Sequence, residues 1–590
     1  MIRLHPEQLT AKLDGFHHYM RAANAADGSS MDPNANVTHK NIATAEAELM
    51  KDFFVQVNRG LVKNKIAALF GDELAAEYER QIEAHEIYVH DETSLKPYCV
   101  SMTMYPFLLD GLTRLGGESR APRHLESFCG AFVNLVFAVS SQFAGAVATV
   151  EFLTYFDYFA RKDYGNDYLD THAHAIDNHL QHVVYAINQP AAARGYQSVF
   201  WNISLFDRDY FASLFEHFVF PDGSVPAAGS VRRLQAYFLN WFNEERRKAV
   251  LTFPVVTAAM LTKNGAPADD DFAALCAGEM SRGNSFFVYM SDSADSLASC
   301  CRLRNEMTDN TFSYTLGAGG VATGSINVIT LNMNRLEQDD RDLRTEVQKI
   351  QRYQVAYRRL MEEFQQQGLL TVYDAGFISL DKQFLTIGVN GMVEAAESRG
   401  IRVGNNADYR TFVRERLKVI YDANREARRE YGYLFNTEFV PAENLGVKNA
   451  KWDRADGYAV PRDCYNSYFY VVEDDDIQMP DKFVLHGHEL VQYLDGGSAL
   501  HLNLDEHLSA EGYLQLYRIA AKTGCHYFTV NVRSTLCNDC GHISKHTDWQ
   551  CSECGSEHID HATRVIGYLK RVSAFSAGRR QEHGRRFYHG

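Results

Sequence analysis

The chain has 590 residues, of which 46% are hydrophobic and 23% are charged, and its formal net charge is -16. This composition excludes a wholly disordered chain and is typical of a globular protein with a large buried core. The acidic balance argues against direct nucleic-acid binding, because neutralising phosphates requires clustered Lys and Arg. The first residues lack a cationic segment followed by an apolar run, so we predict a cytoplasmic protein without a secretory signal.

Residues 1–90 are predicted to form a helical N-terminal region. Ala and Glu are frequent in Ile42–Val57 and again in Lys65–Ala84, with charged and apolar positions at helical spacing. Residues 91–531 then alternate helical patterns, such as Leu343–Gln366, with short β-like runs, such as Ile326–Leu331 and Tyr527–Val532. Such alternation predicts an α/β core.

One stretch without formal charge, Phe128–Val150, is long enough to raise the question of a membrane span. Asn134, Ser140, Ser141 and Gln142 interrupt its apolar character. Large proteins bury uncharged helices in their cores. We therefore predict an interior helix and no membrane partner.

Residues 532–560 are predicted to form a small zinc module. Two CxxC pairs, Cys537–Cys540 and Cys551–Cys554, are separated by ten residues. Four thiolates at this spacing can occupy the corners of a tetrahedron, as in a closed structural zinc site. The alternatives are two disulfides or a redox pair. The acidic residues around the cysteines favour a structural role over nucleic-acid binding.

The tail, residues 561–590, contains Arg564-Val-Ile-Gly567-Tyr568 near its start. This segment resembles the C-terminal signature of the anaerobic, class III ribonucleotide reductases, whose glycine carries a stable radical. The resemblance makes Gly567 the radical residue. Glycine suits this role because the Cα radical is delocalised between nitrogen and carbonyl, and no side chain hinders a planar centre. The alternative is a loop glycine that supplies a positive φ.

Other segments resemble the same family and occur in its order along the chain. They are Asp32–Val37, Lys40–Thr44, Tyr88–Asp91, Gly195–Asn202, Cys300–Leu303, Thr323–Ile326 and Tyr527–Asn531. The fold that the resemblance implies is a ten-stranded α/β barrel of the ribonucleotide reductase and glycyl-radical type, with a finger loop through its centre. The implied function is the anaerobic reduction of ribonucleoside triphosphates to 2′-deoxyribonucleoside triphosphates for DNA precursor synthesis.

The resemblance also assigns roles to cysteines. Either Cys300 or Cys301, on the finger loop, is expected to become the thiyl radical that abstracts the ribose 3′ hydrogen. Cys99 is expected to donate hydrogen to the substrate radical from the opposite wall of the barrel. The alternative for each cysteine is packing as a small hydrophobic side chain.

Substrate contacts are harder to assign because the chain has no GxxxxGK[ST] loop. Gln197, Ser198 and Asn202 lie in a family-like segment and are expected to approach substrate, although polar loop residues usually face solvent. Helix N-termini are the expected substitute for a phosphate loop.

The resemblance implies several partners and effectors. An activating enzyme with an iron–sulfur cluster and S-adenosylmethionine must generate the radical, since this chain has no CxxxCxxC motif. A homodimer with a dNTP specificity site is implied, with dNTP or ATP as allosteric effectors. The family-like region begins by Asp32, so the N-terminal ATP-binding switch of many relatives is expected to be absent.

One departure from the family pattern concerns the reductant. Family members that oxidise formate carry an asparagine just before the TGSI segment, whereas this chain has Gly319-Gly-Val-Ala322 there. Formate and a thioredoxin- or glutaredoxin-like protein therefore both stay open. With a redoxin, Cys99 and one of Cys300 and Cys301 would form the disulfide that is re-reduced.

Two other functions compete with reduction of ribonucleotides. One is a different glycyl-radical enzyme, such as an acyltransferase similar to pyruvate formate-lyase, although zinc knuckles beside the radical glycine argue against it. The other is a non-enzymatic zinc-ribbon protein that binds nucleic acid, against which the net charge argues.

Overall fold

The structure is a computed structural model. It describes residues 4–29, 31, 33–37, 39–191, 195–294, 296–298, 304–306, 322–440 and 443–590. Cys300, Cys301 and Asp32 lie outside the described residues, as does most of the segment predicted to form the finger loop.

Helices account for the N-terminal region and cover the outside of the sheet. The α-helices are α1 Pro6–Arg21, α2 Ala25–Gly28, α3 Ile42–Phe70, α4 Asp72–Glu83, α5 Tyr105–Asp110, α6 Leu125–Ser140, α7 Phe152–Tyr164, α8 Tyr168–Thr171, α9 Ala173–Ile187, α10 Arg208–Phe215, α11 Ala228–Glu245, α12 Asp270–Ser281, α13 Met333–Gln338, α14 Leu343–Gln366, α15 Thr371–Asp374, α16 Met392–Ser398, α17 Ala407–Tyr431, α18 Leu445–Ala455, α19 Met479–Leu485, α20 His488–Val491, α21 Ala510–Thr523 and α22 Ala577–Arg585.

The strands, in chain order, are β1 Ile87–Val89, β2 Cys99–Ser101, β3 Val147–Ala148, β4 Trp201–Phe206, β5 Val255–Lys263, β6 Ala266–Pro267, β7 Phe287–Ser291, β8 Ser296–Ala298, β9 Arg304–Glu306, β10 Thr323–Asn332, β11 Gln383–Asn390, β12 Leu434–Glu438, β13 Leu500–Asn503, β14 Tyr527–Asn531, β15 Ser534–Cys537, β16 Ile543–Ser544, β17 Ile559–Arg564 and β18 Leu569–Arg571. Among the described residues, short 3-10 turns lie at Thr113–Leu115, Leu380–Lys382 and Val572–Ala574.

Ten strands follow one another around the main sheet, in the order β12-β11-β10-β2-β3-β4-β5-β7-β14-β13. From β2 to β7 all neighbours are parallel, and so are β10, β11 and β12. The β2–β7 group has antiparallel neighbours on both sides, β10 beside β2 and β14 beside β7, and β13 is parallel to β14. The strands of the main sheet are almost entirely buried, as expected where helices cover a parallel sheet.

The sheet closes on itself between its two ends. Glu438, the last residue of β12, forms a parallel bridge with Gly497, just before β13. The Phe439 amide donates to the Gly497 carbonyl at 3.2 Å, and the Gly496 amide donates to the Thr437 carbonyl at 2.8 Å. The predicted ten-stranded α/β barrel is thereby confirmed.

The N-terminal helices follow the prediction with one change in their boundary. The Asn41 side chain accepts from the Thr44 amide at the start of α3, which then runs without a break to Phe70. Gly71, at φ 95°, separates it from α4. The two predicted helical stretches therefore divide at the glycine rather than between residues 57 and 65, because only glycine adopts this conformation without strain.

The uncharged stretch at Phe128–Val150 is interior, as predicted. It supplies most of α6 and all of β3, and the Phe128, Phe132 and Phe152 rings cluster against the Trp201 indole. Among the residues that the structure describes, no helix is both long and apolar enough to span a membrane.

The cysteine-rich segment and the tail share a second sheet of four strands, in the order β16-β15-β17-β18. β15 ends at Cys537 and pairs antiparallel with β17, which pairs in turn with β18. β17 runs across the predicted boundary between the zinc module and the tail. The turn that contains Gly567 is therefore the hairpin connection at one edge of the cysteine-bearing sheet.

A buried ion pair fixes the position of α18, which borders the site described below. Asp453, fully buried, accepts from Arg335 at 3.0 Å and from Asn332 at 2.8 Å through Oδ1. Its Oδ2 accepts from Asn334 at 3.0 Å and from the Tyr465 hydroxyl at 2.7 Å. The carboxylate is thus satisfied by four side chains and joins α18 to the end of β10 and to α13.

We expect Asp453→Ala to destabilise the protein by about 3–5 kcal/mol, because it leaves the buried Arg335 guanidinium without its main counter-charge. Asp456→Ala is the matched control. Asp456 also pairs with Arg335, at 2.7 Å, but its side chain is 44% exposed, so its loss should cost about 0–1 kcal/mol. Thermal and urea unfolding of both variants measure the difference, and equal effects would contradict this account.

Candidate active site

A cavity of about 220 Å³ lies at one end of the barrel. Most of the elements that border it come from distant parts of the chain, and they include the starts of β2, β3 and β4, the end of β12 and the start of α18. Its lining residues are Pro33, Asn34, Asn36, Lys51, Tyr88, His90, Asp91, Thr93, Tyr98, Cys99, Ala144, Gly145, Ala146, Gln197, Phe200, Ser325, Glu438, Glu443, Asn444, Leu445, Lys448 and Tyr568.

Cys99, predicted to donate hydrogen to the substrate radical, begins β2 and lies in the cavity wall. Its Sγ accepts from the Ala146 amide at 3.3 Å, and the residue is 6% exposed. A Cβ on Gly145 would come within 2.5 Å of this sulfur, so glycine is required there to leave room for the thiol. Ser325 of the TGSI segment is the register partner of Cys99 and lines the same cavity.

The three residues predicted to contact substrate have different positions. Gln197 lines the cavity, and its Oε1 accepts from the Asn34 amide group at 3.3 Å. Ser198 is buried behind it and donates to the Asn188 carbonyl at 2.9 Å. Asn202, in β4, donates to the Phe200 carbonyl at 3.3 Å. The structure thus brings Gln197 to the cavity, whereas Ser198 and Asn202 hold the backbone behind it.

Gly567 is buried in a turn between β17 and β18. The Val565 amide donates to the Tyr568 carbonyl at 3.1 Å and closes the turn. The Arg564 guanidinium donates to the Gly567 carbonyl at 3.3 Å, and burial lowers the pKa of this guanidinium to about 10. Tyr568 lines the cavity with Cys99, so the predicted radical residue adjoins the cavity wall.

Residues near the end of the tail hold this turn in place. Arg586, just beyond α22, donates to the backbone carbonyls of Arg564 and Val565, both at 2.9 Å. Its guanidinium also bonds both oxygens of Glu582, at 2.7 and 2.8 Å. Burial raises the pKa of the Glu582 carboxyl, but the charges of Arg586 and Arg579 outweigh it and hold that pKa at about 2.

Cys300 and Cys301 are the two predicted site residues that the structure leaves undescribed. Short pieces on either side of them, β8 and β9, pair antiparallel with each other. The prediction of a thiyl radical on one of the two cysteines therefore stays a prediction.

Sequence reasoning missed the residues around the start of α18. Asn444, Leu445 and Lys448 line the cavity, and the Lys448 ammonium donates to the Tyr88 hydroxyl at 3.1 Å. The first backbone N–H groups of a helix lack partners within the helix, so such an end attracts anions. A lysine four positions after an asparagine at a helix start was the available signal.

The four cysteines of the predicted zinc module come together. Their Sγ atoms all lie within 4.8 Å of one another, with Cys537 and Cys554 at 3.6 Å and Cys540 and Cys551 at 3.7 Å. The Cys540 amide donates to the Cys537 sulfur at 3.4 Å, a bond that stabilises a thiolate. Four soft sulfur donors in one cluster, with no position left for a substrate, fit a structural zinc ion.

Comparison with known proteins agrees with this arrangement. The model of the family described as anaerobic ribonucleoside-triphosphate reductase matches residues 46–589. A solved structure of an anaerobic ribonucleotide reductase is 29% identical, with a TM-score of 0.85, and the match covers 98% of this chain and 92% of that chain. No curated protein sequence matches the chain significantly.

Two structures of the anaerobic ribonucleotide reductase from Thermotoga maritima are also similar. One, in complex with dATP and CTP, is 28% identical with a TM-score of 0.83, and the match covers 99% of this chain and 100% of that chain. The other, with dATP bound in the specificity site, is 27% identical with a TM-score of 0.82, over 98% and 100% of the two chains.

We expect the purified chain to contain about one zinc ion, and Cys540→Ser to lose most of it, because structural zinc sites need all four ligands. Elemental analysis measures the metal. Cys129→Ala is the control, since Cys129 is buried in α6 and belongs to the barrel core. Full zinc content in Cys540→Ser would show that this cluster is not the metal site.

Proposed function

Since the chain belongs to the anaerobic ribonucleoside-triphosphate reductase family, we propose that it reduces ribonucleoside triphosphates to 2′-deoxyribonucleoside triphosphates by glycyl and thiyl radical chemistry, for DNA precursor synthesis. The observation that supports this most is that Cys99 and Tyr568, the neighbour of Gly567, line one cavity. Family membership identifies an oxidoreductase and sets aside both an acyltransferase and a non-enzymatic zinc ribbon.

The reaction begins with hydrogen transfer from the thiol of Cys300 or Cys301 to the Gly567 radical, which leaves a closed-shell glycine and a thiyl radical. The thiyl radical abstracts the ribose 3′ hydrogen, and the 2′ hydroxyl leaves as water with the proton of the 3′ hydroxyl. Cys99 then donates hydrogen to the substrate radical. Two electrons and the balancing protons come from the reductant. The thiol then returns the 3′ hydrogen to C3′ of the substrate radical and becomes a thiyl radical again. This thiyl radical takes the hydrogen atom back from Gly567, which restores the glycyl radical.

The reductant is formate or a thioredoxin- or glutaredoxin-like protein. In the second case the thiol of Cys99 pairs with Cys300 or Cys301 as a disulfide after each turnover, and the redoxin restores both thiols. The protein itself contributes position and shelter. The Cys99 thiol is nearly inaccessible to water, which suits radical steps that water and oxygen would intercept.

The substrate triphosphate is proposed to bind at the start of α18. The helix is eleven residues long, its first residues line the cavity, and Lys448 adds a cation one turn further on. Backbone N–H groups and an ammonium together suit a polyanion. Gln197, which also lines the cavity, is proposed to contact the nucleoside, and Ser198 and Asn202 support its segment.

The region up to residue 90 is proposed to supply a homodimer interface and a dNTP specificity site, with dNTP or ATP as effectors. The barrel is assigned to residues 91–531, the zinc module to 532–560 and the radical tail to 561–590. Helix α3 exposes large apolar side chains to solvent that a second copy would cover. They are Ile42, Met50, Phe53, Phe54, Val57, Leu61 and Leu69.

A separate activating enzyme, with an iron–sulfur cluster and S-adenosylmethionine, is proposed to form the radical on Gly567. After anaerobic incubation with such an enzyme, we expect a doublet in the electron paramagnetic resonance spectrum, because the unpaired electron couples to one α hydrogen. Gly567→Ala should abolish both the doublet and the reduction of CTP or ATP.

Gly584→Ala is the matched control for that experiment. Gly584 lies in α22 of the same tail, and a Cβ there would meet nothing within 4 Å. This variant should keep the doublet and the activity. A doublet that persists in Gly567→Ala would show that the radical is elsewhere.

We expect Lys448→Ala to raise the KM for ribonucleoside triphosphates about tenfold, because one charge-assisted contact to phosphate is lost. Radical formation should be unaffected. Lys451, an exposed lysine on the same helix, provides the control variant Lys451→Ala. Steady-state kinetics compare the two, and an unchanged KM in Lys448→Ala would place the triphosphate elsewhere.

A further inference from the structure

Glu443 lies where three distant segments of the chain meet. Its Oε1 accepts from the Ala35 amide at 2.7 Å, and its Oε2 lies 2.6 Å from the Tyr568 hydroxyl oxygen. Its backbone carbonyl accepts from the Arg579 guanidinium of α22. One residue at the head of α18 therefore holds the N-terminal segment, the turn with Gly567 and the helix that follows.

The hydrogen atoms available in this cluster decide which group donates. Asn34 Oδ1 accepts from the Asn36 amide at 2.7 Å, so this atom is the oxygen of the side-chain amide. The Tyr568 hydroxyl oxygen lies 2.9 Å from that same Oδ1, and this distance is that of an O–H···O hydrogen bond. The single phenolic hydrogen of Tyr568 satisfies it.

The bond between Tyr568 and Glu443 then needs a second hydrogen. The distance of 2.6 Å is that of an O–H···O bond, and only the Glu443 carboxyl can supply the hydrogen once the phenol has donated to Asn34. Oε1 already accepts from Ala35, which leaves Oε2 as the protonated oxygen. Every acceptor and donor in the chain Glu443–Tyr568–Asn34 is satisfied in this way.

Burial and the surrounding charges are consistent with this assignment. Burial raises the pKa of the Glu443 carboxyl by more than the bond from the Ala35 amide and the charges of Arg579 and Lys570 lower it. Burial also lowers the pKa of the Lys570 amine to about 8, which weakens the opposing cation. Desolvation of the carboxylate is the largest of these effects on Glu443.

We propose that Glu443 is a positioning residue for Gly567. The Glu443 carboxyl carries a proton while the tail is docked and donates it in a hydrogen bond to the Tyr568 hydroxyl. The inference rests on the proposed function, because the position of Gly567 matters for catalysis only if the radical resides there. The neutral acid holds Tyr568 in the cavity wall, and Tyr568 holds the adjacent glycine.

This arrangement makes docking of the turn depend on pH. When the tail is undocked, the Glu443 carboxyl is exposed and has an ordinary pKa of about 4.3. When the tail is docked, the pKa of this carboxyl is raised. Docking therefore binds a proton. Its contribution is complete below the ordinary pKa and is lost as the pH rises through the docked pKa.

Hydrogen exchange of the peptide Arg564–Lys570 tests this in the full-length, unactivated protein. Rates are measured at about pH 4.5, close to the ordinary pKa of a glutamate, and at about pH 9, and they are corrected for intrinsic exchange. In the wild type we expect the corrected rate to rise about tenfold between the two, the equivalent of one buried hydrogen bond. In Glu443→Gln it should stay constant, because the amide accepts from Ala35 and donates to Tyr568 at any pH. Lys570 is unchanged in this variant, so its own titration is controlled for.

Two further variants complete the test. Glu443→Ala and Tyr568→Phe should exchange about tenfold faster than wild type at the lower pH, and their effects should be less than additive, since both remove the bond between Tyr568 and Glu443. Peptides of β11 report on the barrel. If Glu443→Ala unfolds the barrel, the comparison of wild type with Glu443→Gln still tests the proposal.

Two outcomes would overturn the proposal: a wild-type rate that does not change with pH, or a Glu443→Gln rate that changes as the wild type does. After activation, Tyr568→Phe should lower turnover per radical without changing KM. If the wild type and all variants lack reductase activity but show the expected pH dependence of exchange, the proposed function is refuted. The positioning role of Glu443 is then still supported.

Discussion

The contact of Arg586 with the carbonyls of Arg564 and Val565 is the one on which the active site depends most. The turn around Gly567 has a single backbone hydrogen bond of its own, from Val565 to Tyr568. A loop of this kind has little intrinsic stability, and a buried guanidinium that bonds two consecutive carbonyls replaces the missing bonds. Glu582 balances the charge and fixes the orientation of Arg586. The position of the glycine is thus determined by residues that follow it in the chain.

The barrel supplies the other half of the arrangement. The sheet closes through the bridge between Glu438 and Gly497. Because β2 and β12 run in opposite directions, the start of β2 and the end of β12 border the same cavity. Asp453 and Arg335 then hold α18 against β10, which places the head of that helix at the cavity. A substrate in this space would be contacted by the ends of strands and of a helix and by the segments that connect them.

Local patterns predicted those parts of the molecule whose geometry is local. Leu343–Gln366 is helical from one predicted end to the other, because its charged and apolar residues alternate at helical spacing. The two CxxC pairs form the cysteine cluster, since each pair sets its own turn. The resemblance at Arg564–Tyr568 placed Gly567 in the tail, and the fold brings its neighbour to the cavity.

Contacts between distant segments were beyond sequence reasoning. Ala35 and Glu443 are separated by 408 positions, and no local pattern marks either residue as a partner of the other. The insertion of β14 and β13 between β7 and β12 is likewise a property of the whole chain. Ser198 and Asn202 show the same limit. Gln197 and Ser198 precede β4, and the path of the backbone there, not the motif, decides that Gln197 lines the cavity and Ser198 does not.

The four-stranded sheet gives the tail a mechanical property. Arg564 and Leu569, the residues on either side of the turn, are register partners, and β17 is bonded on its other edge to the strand that ends at Cys537. A ladder of this kind transmits displacement stiffly. The glycine therefore lies at the end of a short β-hairpin whose neighbouring strand ends in the cysteine cluster. Outward movement of the turn with Gly567 therefore either moves the whole four-stranded sheet or breaks the hydrogen bonds between β17 and β18 one after another.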